Sequence, residues 1–267
     1  MTMSESADEI GLQEETSPTE SSEKEMSFWG HLEELRKRLI WSVVGIVIAT
    51  AICAIFSDFI VNKILLAPAV HSKPPLKIQN LKPYGQMVLY MEIVFVAGLI
   101  LSIPNTLYQF WKFVEPALYP SERKYISSIV FFSSFFFLTG GAFAYFVLIP
   151  NALGFFAVFG SPFIENIIDV QSYFGFIAGI ILACGLVFEL PMLSYFLARL
   201  GILSAGFLRK YRRHAVVLIL ILAAAITPPD VISWIMMSVP LYFLYEISII
   251  VVQVTRANKR KKEQAAA

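Results

Sequence analysis

Five long apolar runs divide this chain, at residues 39–56, 87–107, 126–149, 173–197 and 231–254. Each is near or above the ~18 residues that mark a membrane-crossing helix. A sixth run, residues 215–226, is shorter. Outside these runs no polar stretch is long enough to fold as a sizeable soluble domain. The pattern predicts an all-α, polytopic integral membrane protein with six transmembrane helices. The six spans fill a membrane domain over residues 27–255, between a tail at 1–26 and another at 256–267. At ~1.5 Å per residue the 12 residues of 215–226 reach about 18 Å, against a hydrocarbon layer of ~30 Å. Thr227-Pro228-Pro229-Asp230 then turns the chain back, so a short fifth and sixth helix form a hairpin with Pro228 and Asp230 at its external turn. Such a hairpin needs local thinning, water entry or shelter by neighbouring helices.

Charge sets the orientation. With the N-terminus inside, 17 of the 21 Lys and Arg residues fall in cytoplasmic segments, and both termini are cytoplasmic. The exceptions, Lys63, Lys73, Lys77 and Lys82, share the first external loop. Residues 1–25 hold eight acids, one Lys and no aromatic residue, a composition that predicts a disordered acidic tail rather than a signal peptide. Residues 256–267 form a basic tail. Cys53 and Cys184 lie within spans and are expected to pack as small apolar residues.

The segment His31-Leu-Glu-Glu-Leu-Arg-Lys-Arg-Leu39 puts carboxylates beside cations just ahead of the first span. Phe28, Leu32, Leu35 and Leu39 share a stripe, which predicts a short amphipathic helix at the interface preceding that span. Glu33–Lys37 and Glu34–Arg38 have the i,i+4 spacing of self-paired ions. The alternative is a surface that receives a foreign cation. Between the second and third runs, Trp111 to Lys124 carries Pro116 and Pro120 among aromatics. That loop is expected to be rigid, with Ser121 capping the third helix and Glu122 on the same membrane side as Glu34.

Within the runs, Glu189 stands beside Pro191, Glu246 lies at a similar depth, and Glu92 lies near the external end of the second span. Ionisable groups at such depth are either functional sites or helix-to-helix contacts. Gly175, Gly179 and Ala183 form a small-residue ridge, as do Gly140, Gly141 and Ala144, and both are expected to pack within the chain. No hydrolase, metalloprotease or phosphate-loop motif is present, and the three histidines are dispersed, so neither a catalytic group nor a metal or other cofactor site is predicted.

Taken together these motifs resemble the TatC family of the twin-arginine protein translocase. The resemblance covers about residues 27–255. It rests on His31-Leu32-x-Glu34-Leu35-Arg36, Phe113-x-x-Pro116-x-Leu118-x-x-x-Glu122-Arg123, Phe188-Glu189-x-Pro191 and Thr227-Pro228-Pro229-Asp230. It implies a non-enzymatic receptor in the cell inner membrane, ahead of a thylakoid one, that binds the paired-Arg signal peptides of folded cargo and nucleates a translocation complex. By the same resemblance Glu34 and Glu122 form the twin-arginine site, with Arg36, Phe113 and Arg123 as neighbouring binding positions. Glu189, with Pro191, is implied as an intramembrane contact for single-span TatA- and TatB-type subunits. Other copies of the chain and membrane lipid complete the implied partners, and nucleic acid is not among them. Glu115 departs from the family pattern by adding an acid to the loop. The rival reading is a proton-coupled secondary transporter that protonates Glu189, although no internal repeat of the kind common in transporters is visible.

Overall fold

The computed structural model describes residues 28–72, 74–117, 126–160, 163 and 166–266. The acidic tail and the Ser121 cap lie outside them. Helix α1 spans Phe28–Ile55, and turns of helix over Ser57–His71 lead to strand β1, Lys77–Gln79. Helices α2, Gly85–Leu101, and α3, Ile103–Val114, follow. Helix α4, Ile126–Phe143, passes through a π-helical turn, Ala144–Leu148, into α5, Ile149–Val158. Strand β2, Ile167–Asp169, feeds α6, Val170–Phe188, and then α7, Leu190–Arg199. The chain ends with α8, Ala205–Lys210, α9, Arg212–Ile226, and α10, Val231–Ala266.

Among the described residues four stretches are long and apolar enough to cross a membrane: Trp29–Ile55, Ile126–Val158, Val170–Arg199 and Val231–Asn258. Helices α2 and α3 make a fifth if taken as one span bent by 51°. Helix α9 has 15 residues, about 22 Å at the usual rise, and stays below that length.

Four features differ from the sequence expectation. The interfacial segment is not a separate short helix, because α1 runs unbroken from Phe28 to Ile55. No Gly or Pro lies between Gly30 and Gly45 to stop it. The last helix is long, not short: α10 has 36 residues, and its Lys, Glu, Gln and Ala tail favours continuing the helix through 256–266. The bundle is also not purely helical. Strands β1 and β2 pair in parallel, Lys77 with Ile167 and Gln79 with Asp169, and tie together the loops after α1 and α5. Asp169 ends this pairing by capping α6. It accepts the Ser172 backbone N–H at 3.1 Å, a bond that holds its carboxyl below the ordinary value.

The fourth difference concerns the small-residue ridges. Gly140 does pack within the chain: a Cβ there would sit 2.6 Å from the Cys184 carbonyl oxygen and 2.8 Å from the Phe188 ring. Ala144 is fully buried beside it. Gly175 and Gly179, by contrast, face open space, with nothing within 4 Å of an added Cβ. The internal contact of α6 uses its opposite face, through Tyr173, Ile177, Ile180 and Cys184. Both cysteines are free and buried, as expected of packing residues.

Two clusters make the core. The larger gathers Leu148, Ile149, Leu153, Tyr173, Met237 and Leu241 from α4 to α6 and α10. The smaller joins Trp111 and Val114 of α3 to Ile126 and Ile129 of α4, with Met192, Tyr195 and Phe196 of α7 against it. It lies at the end of the bundle where α1 begins.

Gly140→Ala is expected to destabilise the protein by about 1–3 kcal/mol, since backbone and a buried ring must yield. Gly179→Ala is expected to cost nothing measurable. Thermal melts of both variants in the same detergent check the contrast.

Candidate functional site

The residues singled out from sequence meet where α1 crosses α3. Span two breaks at Ser102, whose N–H reaches Gly98 O at 2.9 Å while its hydroxyl bonds Leu99 O at 2.8 Å. Pro104, in the first turn of α3, has no N–H to continue the ladder. The resulting bend turns α3 so that Asn105, Gln109 and Phe113, spaced i,i+4, present one face to α1.

Three rungs join the helices. Asn105 Nδ2 donates to the Trp41 carbonyl at 3.3 Å, and the Asn105 amide fills the space left by Gly45. Arg38 Nη1 reaches Gln109 Oε1 at 3.4 Å, a long contact, with Gln109 buried. The His31 and Phe113 rings stack with centroids 4.4 Å apart. Trp29, Leu32, Leu35 and Leu39 occupy the outward side of α1 and stay exposed, as a lipid-facing stripe would be.

Along α1, Glu34 sits between the Arg38–Gln109 and His31–Phe113 rungs. Its Oε1 accepts Arg38 Nη2 at 3.1 Å, and the two side chains are 20% and 24% exposed. The self-paired geometry foreseen from the i,i+4 spacing is therefore formed, and the same Arg38 also holds Gln109. Glu34 is thus a carboxylate fixed at the mouth of the contact. Glu33, Arg36 and Lys37 lie on exposed positions. Glu115, the acid that departs from the family pattern, pairs with Lys112 at 2.9 Å, which offsets its charge locally. Glu122 and Arg123 lie outside the described residues.

Glu189 occupies the junction of α6 and α7. Its N–H bonds Leu186 O at 3.1 Å, and its carbonyl receives the Leu193 N–H at 2.9 Å. Pro191, fully buried, removes the bond that would return to Val187. The carboxylate faces Ser133 of α4, and Oε1 has no hydrogen-bond partner among the described residues. Ser133 in turn accepts the Trp111 indole N–H at 3.2 Å.

Glu246 resolves as a helix-to-helix contact: its Oε2 accepts Arg212 Nη2 at 2.9 Å. Glu92 is exposed. At the far hairpin, Asp230 is buried and caps α10, accepting the Ser233 N–H at 2.6 Å through Oδ1. Pro228 lends its carbonyl to the Asp230 N–H at 2.7 Å. These two residues shape the turn and lie away from the Glu34 cluster.

Sequence reasoning missed Asn105, Gln109, Trp111 and Ser133. A signal existed: polar residues four apart in an apolar run, next to a proline, mark a helix face that needs a partner. Among the described residues no cluster of His, Cys, Asp or Glu could hold a metal.

The fold is that of a multi-span helical membrane protein built around a polar crossing of α1 and α3. A profile for the family described as Sec-independent protein translocase protein (TatC) matches residues 30–240. The chain belongs to that TatC family. It is similar to the Sec-independent protein translocase protein TatC of Blattabacterium from Periplaneta americana, 40% identical over 254 residues, 86% of this chain and 96% of that protein. The Helicobacter pylori 26695 protein of the same name is 39% identical over 233 residues, 87% of this chain and 90% of that one. A crystal structure of the twin arginine translocase receptor TatC superimposes with a TM-score of 0.71 at 34% identity, over 85% of this chain and 99% of that one.

Replacing Phe113 by Leu is expected to loosen the start of α1 by about 1 kcal/mol, from loss of the ring stack. Amide exchange over residues 30–36 should quicken about fivefold, while exchange in α6 stays unchanged.

Proposed function

We propose that this chain is the receptor subunit of a twin-arginine translocase in the cell inner membrane, binding the paired-Arg signal peptides of folded cargo through Glu34 and Glu122. The observation that carries this reading is the fixed carboxylate of Glu34, seated in the α1–α3 crossing beside Gln109 and the His31–Phe113 stack. By the excess of cations at this end, it faces the cytoplasm. Glu122 adds the second acid, with Arg36 and Arg123 flanking and Phe113 offering an aromatic surface. The chain then nucleates a complex with single-span TatA- and TatB-type subunits and further copies of itself.

Physical chemistry supports a preference for arginine. A guanidinium bonds a carboxylate through two parallel N–H groups, which an ammonium cannot reproduce. Arg38 already engages Oε1 of Glu34, so an incoming arginine replaces or shares an existing charge-assisted bond. The carboxylate is therefore never left bare between binding events, which limits its desolvation cost. Glu189 offers a polar partner to a passing helix, with Pro191 fixing the junction that presents it.

Titration with a fluorescent signal peptide tests the reading. Glu34→Ala or Glu122→Ala is expected to cost about 1.5–3 kcal/mol, or roughly ten- to a hundredfold in Kd, and an Arg-Arg to Lys-Lys exchange should weaken binding comparably. Equal affinity for both peptides, or an unaltered Kd in the double variant, refutes it.

A further inference from the structure

Arg38 divides its hydrogen bonds between two helices. Its Nη2 donates to a single oxygen of Glu34, Oε1, at 3.1 Å, while Nη1 reaches Gln109 Oε1 on α3 at 3.4 Å. Nε is buried and has no hydrogen-bond partner among the described residues. A guanidinium can place two parallel N–H groups on both oxygens of a carboxylate. Here Gln109, 8% exposed, holds one end of the fork and leaves the ion pair with one bond. Any foreign cation therefore meets a Glu34 that is half taken. A lysine ammonium is a point charge and can settle on the second oxygen while Arg38 stays. A bidentate guanidinium needs both oxygens, so it has to take Oε1 from Arg38.

We propose that Arg38 is an internal competitor for Glu34, one that weakens the binding of arginine more than that of lysine, and that Gln109 keeps it loose enough to be displaced. The inference rests on the receptor reading above and names the residue that sets the affinity of that site. Exchange costs little in this geometry, because only one bond is broken and both side chains are partly exposed. The displaced guanidinium still has Gln109 as an acceptor, so its charge keeps a polar partner at the crossing. When the peptide leaves, Arg38 closes on Oε1 again. A residue that merely supported the site would act with the opposite sign, since its removal could only weaken binding.

The test uses the full chain in lipid nanodiscs and fluorescence anisotropy with two labelled signal peptides that differ only in carrying Arg-Arg or Lys-Lys. Arg38→Gln keeps an amide that can meet Gln109 and removes the fork. In this variant the Kd for the Arg-Arg peptide is expected to fall about fivefold, the upper range for a partly exposed ion pair. The Kd for the Lys-Lys peptide should fall no more than about twofold, from the loss of one like charge, so the ratio between the peptides widens. Gln109→Met frees Nη1 to join Nη2 on Glu34 and is expected to weaken the Arg-Arg peptide about threefold. In a Glu34→Gln background, Arg38→Gln should have no further effect. An Arg-Arg Kd that is unchanged or raised in Arg38→Gln overturns the proposal. Equal tightening of both peptides, or tightening that persists without Glu34, reduces Arg38 to a repelling charge and overturns it as well. An unaltered Kd in Gln109→Met overturns the part given to Gln109. Should Arg38→Gln fail to fold, Arg38→Met, which keeps the unbranched stem, carries the same comparison. Wild-type protein that binds neither peptide, or binds both unchanged after Glu34→Gln, overturns the receptor reading instead.

Discussion

In hydrocarbon a helix can break only where something nearby takes over the backbone groups it frees, and that constraint shapes this bundle. Span two breaks at Ser102, where the residue's own N–H and hydroxyl return to Gly98 and Leu99. The junction at Glu189 is closed by bonds from Glu189 N–H to Leu186 and from Leu193 N–H to Glu189. At the opposite end, the π-helical turn Ile60–Leu65 exposes carbonyls that two tyrosines cover: Tyr145 donates to Ile64 O at 2.8 Å and Tyr173 to Leu65 O at 2.7 Å. Each irregularity is thus local and satisfied, which leaves it free to redirect the chain.

The break at Ser102 has the largest consequence. A straight second span would carry Asn105, Gln109 and Phe113 past α1 at the wrong angle to form three rungs. Bent, α3 lies against the first turns of α1, and Gly45 admits the Asn105 side chain. Gly98 permits the matching approach above the bend, where a Cβ would fall 2.6 Å from the Thr50 Cα. Close helix contact below and above the kink fixes the crossing. Arg38 is then held by Glu34 on its own helix and by Gln109 across the gap, so the charge at this surface has a defined position before any ligand arrives.

Which parts were legible in the sequence follows from the kind of information involved. Span positions depend on apolar length alone, and the runs at 126–149 and 173–197 fall inside Ile126–Val158 and Val170–Arg199. The Glu34–Arg38 pair is set by i,i+4 spacing and formed as spaced. Facing was harder. Gly140 and Gly179 look alike in sequence, yet one is wedged against Cys184 and the other faces open space, because which side of a helix meets its neighbour is decided by the whole packing. The β1–β2 pairing joins segments about 90 residues apart and has no local signature. The α1–α3 rungs are likewise long-range, although Asn105 and Gln109, two polar residues four apart on α3, were a signal of a face that needs a partner.

The short hairpin is anchored firmly at one end. Segment 200–212 is strapped to the lower half of α10. Tyr245 donates to Leu208 O at 2.6 Å, Glu246 takes Arg212 at 2.9 Å, Gln253 receives Arg209, and Arg256 reaches Gly201 O at 2.6 Å. These four residues recur along one side of α10, which gives its long extension a purpose. Helix α9, pinned at that end, is roughly 8 Å shorter than a ~30 Å layer, and the hairpin turn lies at its other end. There the turn carries Thr227 and Asp230 at 6% and 4% exposure, with the Asp230 carboxylate answering the Ser233 N–H. The bundle itself buries these two polar side chains. The apolar outer face of α9, at Val217, Leu218 and Ile221, remains exposed for the hydrocarbon it does reach. Burial of Thr227 and Asp230 within the chain is what shelter of the short span by neighbouring helices requires.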